Sequence, residues 1–225
     1  SKNKDIRDLI DNTITFLYQL GIKKIDMLVL SHGDVDHAKE AINLLEKFPV
    51  LAVYFNENEK NDLEKEIEKK AKEKRIVTST LKKNNYFQLG KFHFKVLSQD
   101  LKDENDSSII FLGTINDKKF LFMGDATNKS EEVLLNNYDI PRVDILKVGH
   151  HGSKTSTSKE FLDKVSPLYA LISSGRNNKF NHPNQKVVER LRSKKCKIYN
   201  TQEDGMVKFD FKHNTISTYK NIMFS

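Results

Sequence analysis

Apolar residues at Ile6, Leu9, Ile10, Ile14, Leu17 and Leu20 recur at helical spacing, and Gly21 follows as a stop signal. The chain therefore opens on an amphipathic helix from about Asp5. A short apolar run, residues 25–31, reads as the first strand. Residues 38–48 predict a helix ended by Pro49, 50–55 a strand, and 62–74 a second, heavily charged helix. From residue 86 the period becomes two. Segments 86–89, 92–96, 108–113 and 119–123 predict consecutive strands, the last pair turning at Asn116-Asp117, so antiparallel neighbours are expected. Beyond them the pattern gives a helix at 131–138, a strand at 143–148, a helix at 159–165, a strand at 169–173 and a helix at 185–192. Two further strands are expected around Asp204-Gly205, a hairpin dipeptide. No fixed-period repeat and no low-complexity linker interrupts this order. It predicts one α/β domain over residues 1–225, with helices outside two packed sheets.

Composition narrows the class. Hydrophobic residues make up 37% of the 225 and fall in periodic clusters, which excludes a disordered chain. Lys and Arg exceed Asp and Glu by 38 to 31, so polyanions such as nucleic acid are attracted, although many of the lysines sit in solvated runs such as Glu64 to Lys74. The single cysteine, Cys196, excludes an intramolecular disulfide. Its strand-like surroundings, Lys195-Cys196-Lys197-Ile198-Tyr199, predict a partly buried structural thiol. No run approaches ~18 apolar residues, and the first residues lack the apolar core of a signal peptide.

The chemistry begins at His32-Gly33-Asp34-Val35-Asp36-His37, immediately after the first strand, where polar side chains can converge without costing core packing. At ordinary residue frequencies such a hexapeptide arises by chance in roughly one chain of this length in a thousand, so coincidence explains it poorly. In a tight loop, alternate residues can point at one cation while Asp36 and His37 reach a second. Imidazole with carboxylate suits Zn²⁺, Mn²⁺ or Fe²⁺ better than Ca²⁺ or Mg²⁺. Three weaker signals follow. Phe120-Leu121-Phe122-Met123-Gly124-Asp125 is an apolar strand ending in a carboxylate. Residues 143–153 are a strand feeding His150 and His151 into a glycine-flanked loop. His182 precedes a stiffening Pro183. His93, alternating with Phe92 and Phe94, and His213, in a polar turn, are expected to be structural or exposed.

Together the His-x-Asp-x-Asp-His loop, the Gly-Asp strand end, Lys147-Val148-Gly149-His150-His151-Gly152-Ser153 and Asn181-His182-Pro183 resemble the metallo-β-lactamase domain of ComEC-type DNA-uptake proteins, from about Gly21 to Phe211. The resemblance implies an αββα sandwich with two metal ions, Zn or Mn. One would be held by His32, Asp34 and His150 or His151, the other by Asp36, His37 and His182, with Asp125 bridging. Compared with the wider superfamily, Asp34 stands where a histidine is usual, and the usual third-motif histidine falls near Asn105-Asp106-Ser107. Such domains usually open with two or three strands before the helix at Asp5, so this chain is expected to begin after them.

Two divalent cations facing three carboxylates leave a charge of about +1, which favours phosphate esters over neutral amides. The resemblance therefore implies a metal-dependent phosphodiesterase or nuclease acting on single-stranded DNA, with Asp36 and Asp125 as the catalytic carboxylates. Lys147, Ser153, Lys154 and Ser156 are candidate phosphate contacts, although Thr157 and Glu160 have capping-box spacing and the 155–158 cluster can equally start the next helix. A small-molecule hydrolase of the same fold, acting on a lactam, a thioester or a phosphocholine ester, and a non-catalytic DNA-binding domain are the competing readings. If the chain is part of a ComEC-type protein, it is attached to a membrane channel and lies on the extracytoplasmic face.

Overall fold

The computed structural model describes residues 2–97, 101, 103, 105–211, 213 and 215–219, with side chains from residue 10 onward, so Ile6 and Leu9 lie outside the described side chains. The chain forms two compact units, one ending at Lys82 and the other starting at Lys83.

The first unit runs α1 (Lys2–Gln19), β1 (Leu28–Val29), α2 (Val35–Lys47), β2 (Ala52–Phe55), α3 (Asp62–Glu73) and β3 (Val77–Thr80). Its strands form a parallel sheet in the order β1-β2-β3. Parallel neighbours need a crossover, and α2 and α3 supply them. Ala38, Ala41, Leu44 and Leu45 of α2 and Ile67 and Ala71 of α3 are buried with Val53 and Phe55 of β2, as their helical spacing requires. Ile10 and Ile14 carry the buried face of α1 into the same core. The apolar run at 25–31 yields only two ladder residues, although Ile25 bridges Val50 and Leu30 N–H donates to the Tyr54 carbonyl. Strand β3 was not expected: Val77-Thr78-Ser79-Thr80 is polar because it alternates between exposed and half-buried positions beside β2.

The second unit contains β4 (Tyr86–Leu89), β5 (Phe92–Val96), β6 (Phe111–Ile115), β7 (Lys118–Phe122), α4 (Asn128–Asn137), β8 (Ile145–Lys147), α5 (Lys159–Val165), β9 (Tyr169–Ile172), α6 (Gln185–Ser193), β10 (Lys197–Asn200), α7 (Thr201–Asp204), β11 (Met206–Asp210) and β12 (Thr215–Tyr219). Its main sheet has the order β10-β9-β8-β7-β6-β5-β4. Strands β4 to β7 are antiparallel neighbours, and β7 to β10 are parallel. Asn116 and Asp117, both at positive φ, make the two-residue turn between β6 and β7. Leu121, Leu146 and Ala170 from the sheet bury against Leu134, Phe161, Leu162, Val187 and Leu191 from the helices.

Asp204-Gly205 does not make the expected hairpin. Residues 201–204 form a single helical turn, and Gly205 at φ +70° closes it, its N–H donating to the Thr201 carbonyl. The closing hairpin is instead β11 with β12. At α5 the cap is Ser158, whose Oγ accepts from Phe161 N–H, not Thr157. Thr157 sits at φ +60°, and its N–H, like that of Ser158, donates to the buried Glu131 carboxylate.

Candidate metal centre

Open parallel sheets place ligand-binding loops beyond the carboxyl ends of their strands, and the candidate residues follow that rule. In the first unit, His32 to His37 follow β1. Asp34 is the N-cap residue of α2, so Val35, Asp36 and His37 belong to its first turn and not, as expected, to a free loop. A carboxylate in a helix's first turn is favoured by the helix dipole. His32 is completely buried, its ring centroid 4.1 Å from that of His37 and its Nε2 3.6 Å from Asp34 Oδ2. Ser31 Oγ lies 3.0 Å from His32 Nδ1 and 3.3 Å from His37 Nδ1, fixing both rings by the nitrogen on one side. Asn61, the N-cap of α3, donates from Nδ2 to the Gly33 carbonyl at 2.9 Å and so ties the turn to the next crossover.

In the second unit β7, β8 and β9 lie side by side, so their carboxyl ends share one edge of the sheet. That edge carries Asp125, the 3-10 turn Gly149–Gly152, and the 173–182 loop. Asp125 is buried, and its N–H donates to Ser108 Oγ at 3.0 Å. His150 and His151 both adopt left-handed backbone, which the flanking glycines make possible: a Cβ on Gly149 would come within 2.7 Å of the Ala126 carbonyl oxygen. His151 Nδ1 lies 2.7 Å from the Ser173 carbonyl. A carbonyl only accepts, so Nδ1 carries the hydrogen, and Nε2 faces Asp125 Oδ2 at 3.4 Å. Metal-ligating imidazoles are oriented in this way. His151, not His150, is thereby aimed at the carboxylate. His182 stands beside both, its ring centroid 6.5 Å from that of His151 and 5.9 Å from that of His150.

The same contacts set the electrostatics of these side chains. The Asp125 hydrogen bond raises the pKa of His151 above the ordinary imidazole value, against the opposing effect of burial. A cation in that position would substitute for the proton. Burial, followed by repulsion from His150 and His151, lowers that of His182 and keeps its ring neutral, as a ligand must be. Burial also depresses Lys147, which Asp125 only partly offsets; its Nζ donates to the Val148 carbonyl. The donors present, imidazoles and carboxylates in each unit with ring nitrogens fixed from behind, fit a borderline divalent metal.

The metallo-beta-lactamase superfamily pattern matches residues 10–176, which includes every candidate except His182. The chain belongs to the metallo-β-lactamase superfamily. It is 32% identical to ComE operon protein 3 of Bacillus subtilis over 92% of its own length and 27% of that protein's. For Recombination protein 2 of Haemophilus influenzae the identity is 33% over 88% of this chain and 24% of the relative. Competence protein ComA of Neisseria gonorrhoeae gives 30% over 84% and 26%. The chain thus spans about a quarter of the length of the curated relatives it matches. Among solved structures, CmlA, a diiron β-hydroxylase of Streptomyces venezuelae, superposes with TM-score 0.58 at 14% identity, over 78% of this chain and 43% of CmlA. This likeness shows the metallo-β-lactamase fold alone.

Two residues beside this candidate site had little or no signal of their own: Ser108 had none, and Asp106 was marked only by its place in Asn105-Asp106-Ser107, where the wider superfamily usually carries a histidine. Asp106 Oδ1 accepts from Thr127 and Ser130, pinning the start of α4 just after Asp125, and Ser108 holds Asp125 itself. Their partners lie about twenty positions away, so only the fold reveals them. Among the candidate phosphate contacts, Ser156 is fully buried and its Oγ donates to the Gly149 and Ser153 carbonyls, fastening the histidine turn. Ser153 is also buried, its Oγ 3.0 Å from Thr155 Oγ1, while Lys154 is exposed. His93 lies in β5 against Tyr86 Oη and His213 beside Asp210, outside either cluster as expected. Among the described residues no helix is long and apolar enough to cross a membrane.

Proposed function

We propose that the chain is a dinuclear metal-dependent phosphodiesterase acting on single-stranded DNA, in the DNA-uptake setting that the name of its competence relative suggests. The observation that carries this reading is the identity of 30–33% to three such proteins over most of the chain, combined with a ligand set rich in carboxylate. In this reading His32, Asp34, Asp36, His37, Asp125, His151 and His182 bind two divalent ions, zinc or manganese. When bound, such ions supply hydroxide near neutral pH and offset charge on the phosphoryl group.

The chain's own residues account for the remaining needs. Asp36, on the first turn of α2, orients the attacking water and accepts its proton as the new phosphorus–oxygen bond forms and the ester bond breaks. Asp125, whose backbone N–H is held by Ser108 Oγ, presents its carboxylate to the cations. Of the expected phosphate contacts, exposed Lys154 attracts the phosphate; the Lys147 ammonium, its pKa depressed by burial, donates to the Val148 carbonyl, and the Ser156 hydroxyl is engaged with backbone carbonyls. Because CmlA shares the fold and is a hydroxylase, fold by itself does not select hydrolysis.

The test is cleavage of a labelled single-stranded oligonucleotide in Mn²⁺, Zn²⁺ or chelator, with Asp36→Ala alongside. Cleavage that chelator and substitution both abolish is expected. Metal binding with intact DNA would overturn the nuclease and turn attention to a smaller ester or to a binding role.

A further inference from the structure

The loop that brings His182 to the sheet edge contains more than a metal ligand needs. Residues 175–181 read Gly-Arg-Asn-Asn-Lys-Phe-Asn, and Phe180 leaves 62% of its surface exposed. Singly exposed aromatics are ordinary, and exposure alone would carry nothing. What distinguishes Phe180 is that the loop carrying it is tied on both sides and its ring lies against His182. Asn178 donates from Nδ2 to the Gly175 and His182 carbonyls, at 2.9 and 2.7 Å, and accepts the His182 N–H at 2.8 Å. Asn177 and Asn181 take left-handed backbone on either side, where asparagine is tolerated better than most residues. Arg176 Nε donates to the Gln202 carbonyl, anchoring the near end. The ring of Phe180 lies nearly parallel to that of His182, at 18° and a centroid distance of 5.7 Å, and Lys179 Nζ sits 4.7 Å from its centroid.

We infer that Phe180 is a stacking platform for a base of the single-stranded substrate, with Lys179 and Arg176 as cations for the adjoining phosphates. This rests on the nucleic-acid reading above and names a residue that sets how the strand is held. An aromatic ring takes any base by its face, and cations beside it follow the backbone, which is how sequence-tolerant single-strand binding is achieved. A ring on a loop already tied binds without the entropy cost of ordering the loop. Its parallel contact with His182 places a stacked base one ring away from a proposed metal ligand, so the phosphate next to that base is the one presented for cleavage. Lys179, on a flexible stem, can exchange the ring face for a phosphate oxygen.

The test compares two fluorescent strands of equal length, one oligothymidylate and one in which abasic tetrahydrofuran units replace the nucleosides. Their anisotropy is titrated with the whole chain in chelator and low salt, and the KM for the thymidylate strand is measured in Mn²⁺. The wild-type chain should prefer the base-bearing strand by about 5- to 100-fold. Phe180→Leu, which keeps an apolar cover over His182, should lose that preference and raise KM, while Phe180→Trp should keep both near wild type. A Phe180→Leu chain that retains the preference, or a wild-type chain that binds both strands alike, overturns the platform and leaves the nuclease reading standing. A wild-type chain that neither binds nor cleaves either strand overturns both.

Discussion

Gly152 separates two effects that a single substitution usually mixes. It sits at φ +80°, and a Cβ there would come within 2.8 Å of Pro183 Cβ, next to the candidate ligand His182. Gly90 also has positive φ, +61°, but a Cβ there would meet nothing within 4 Å. Gly90→Ala should therefore cost only backbone strain, about 1–2 kcal/mol. Gly152→Ala adds a clash on a stiff proline ring, for a total of roughly 2–4 kcal/mol. It should also lower metal-dependent turnover at least about tenfold by moving the His182 loop. Urea unfolding of both variants, with turnover of Gly152→Ala beside it, checks this; equal losses in the two would show that the proline yields and the clash is not real. At this scale the sequence was most readable. The candidate histidines and carboxylates stand out by type and spacing, and Asp106 only by its place in the third-motif segment, whereas Ser108 and Asn178 do not, because serine and asparagine are ordinary turn residues until their partners are known.

Elements were legible where burial dictated the pattern. Helix α5 falls at 159–165 as its periodicity predicted, and the β6–β7 turn falls where Asn116-Asp117 marked it. Strand β3 was missed because only half of each residue pair meets the core, and Asp204-Gly205 misled because the same dipeptide that suits a hairpin also suits a helix end. Helix α3 gives a prediction at this scale. Asn61 and Glu64 form a reciprocal capping box, and the Asn61 amide also holds the Gly33 carbonyl beside His32. Asn61→Ala removes both and should cost about 1–2 kcal/mol. Asn61→Asp keeps the cap and adds charge favourable to the dipole, but it turns a donor into an acceptor facing a carbonyl. We expect Asn61→Asp to unfold in urea near the wild-type midpoint and yet bind Mn²⁺ several-fold more weakly by calorimetry. Unchanged binding would mean that the Gly33 tie does not shape the His32 turn.

For the molecule as a whole, the buried thiol gives a pH dependence whose sign can be worked out. Cys196 lies just before β10 within the core of the second unit, and burial pushes its pKa from 9.0 up to about 12. Below pH 9 the thiol is protonated in both the folded and unfolded chain and contributes no slope. Above that, the unfolded chain ionises while the folded one remains a thiol, so the unfolded state gains. Stability should fall with rising pH from about 9 until about 12. The slope contributed by this one group approaches ~1.4 kcal/mol per pH unit. Lysines and tyrosines titrate in the same range, so the absolute curve is not diagnostic, but its difference from Cys196→Ala is. That variant pays a small, pH-independent cavity cost and lacks the thiol's slope, so its disadvantage in urea unfolding should shrink between pH 8 and 11. Parallel curves would mean that the folded chain already exposes the thiol, and alkylation at neutral pH would then be fast in the native protein instead of waiting for unfolding.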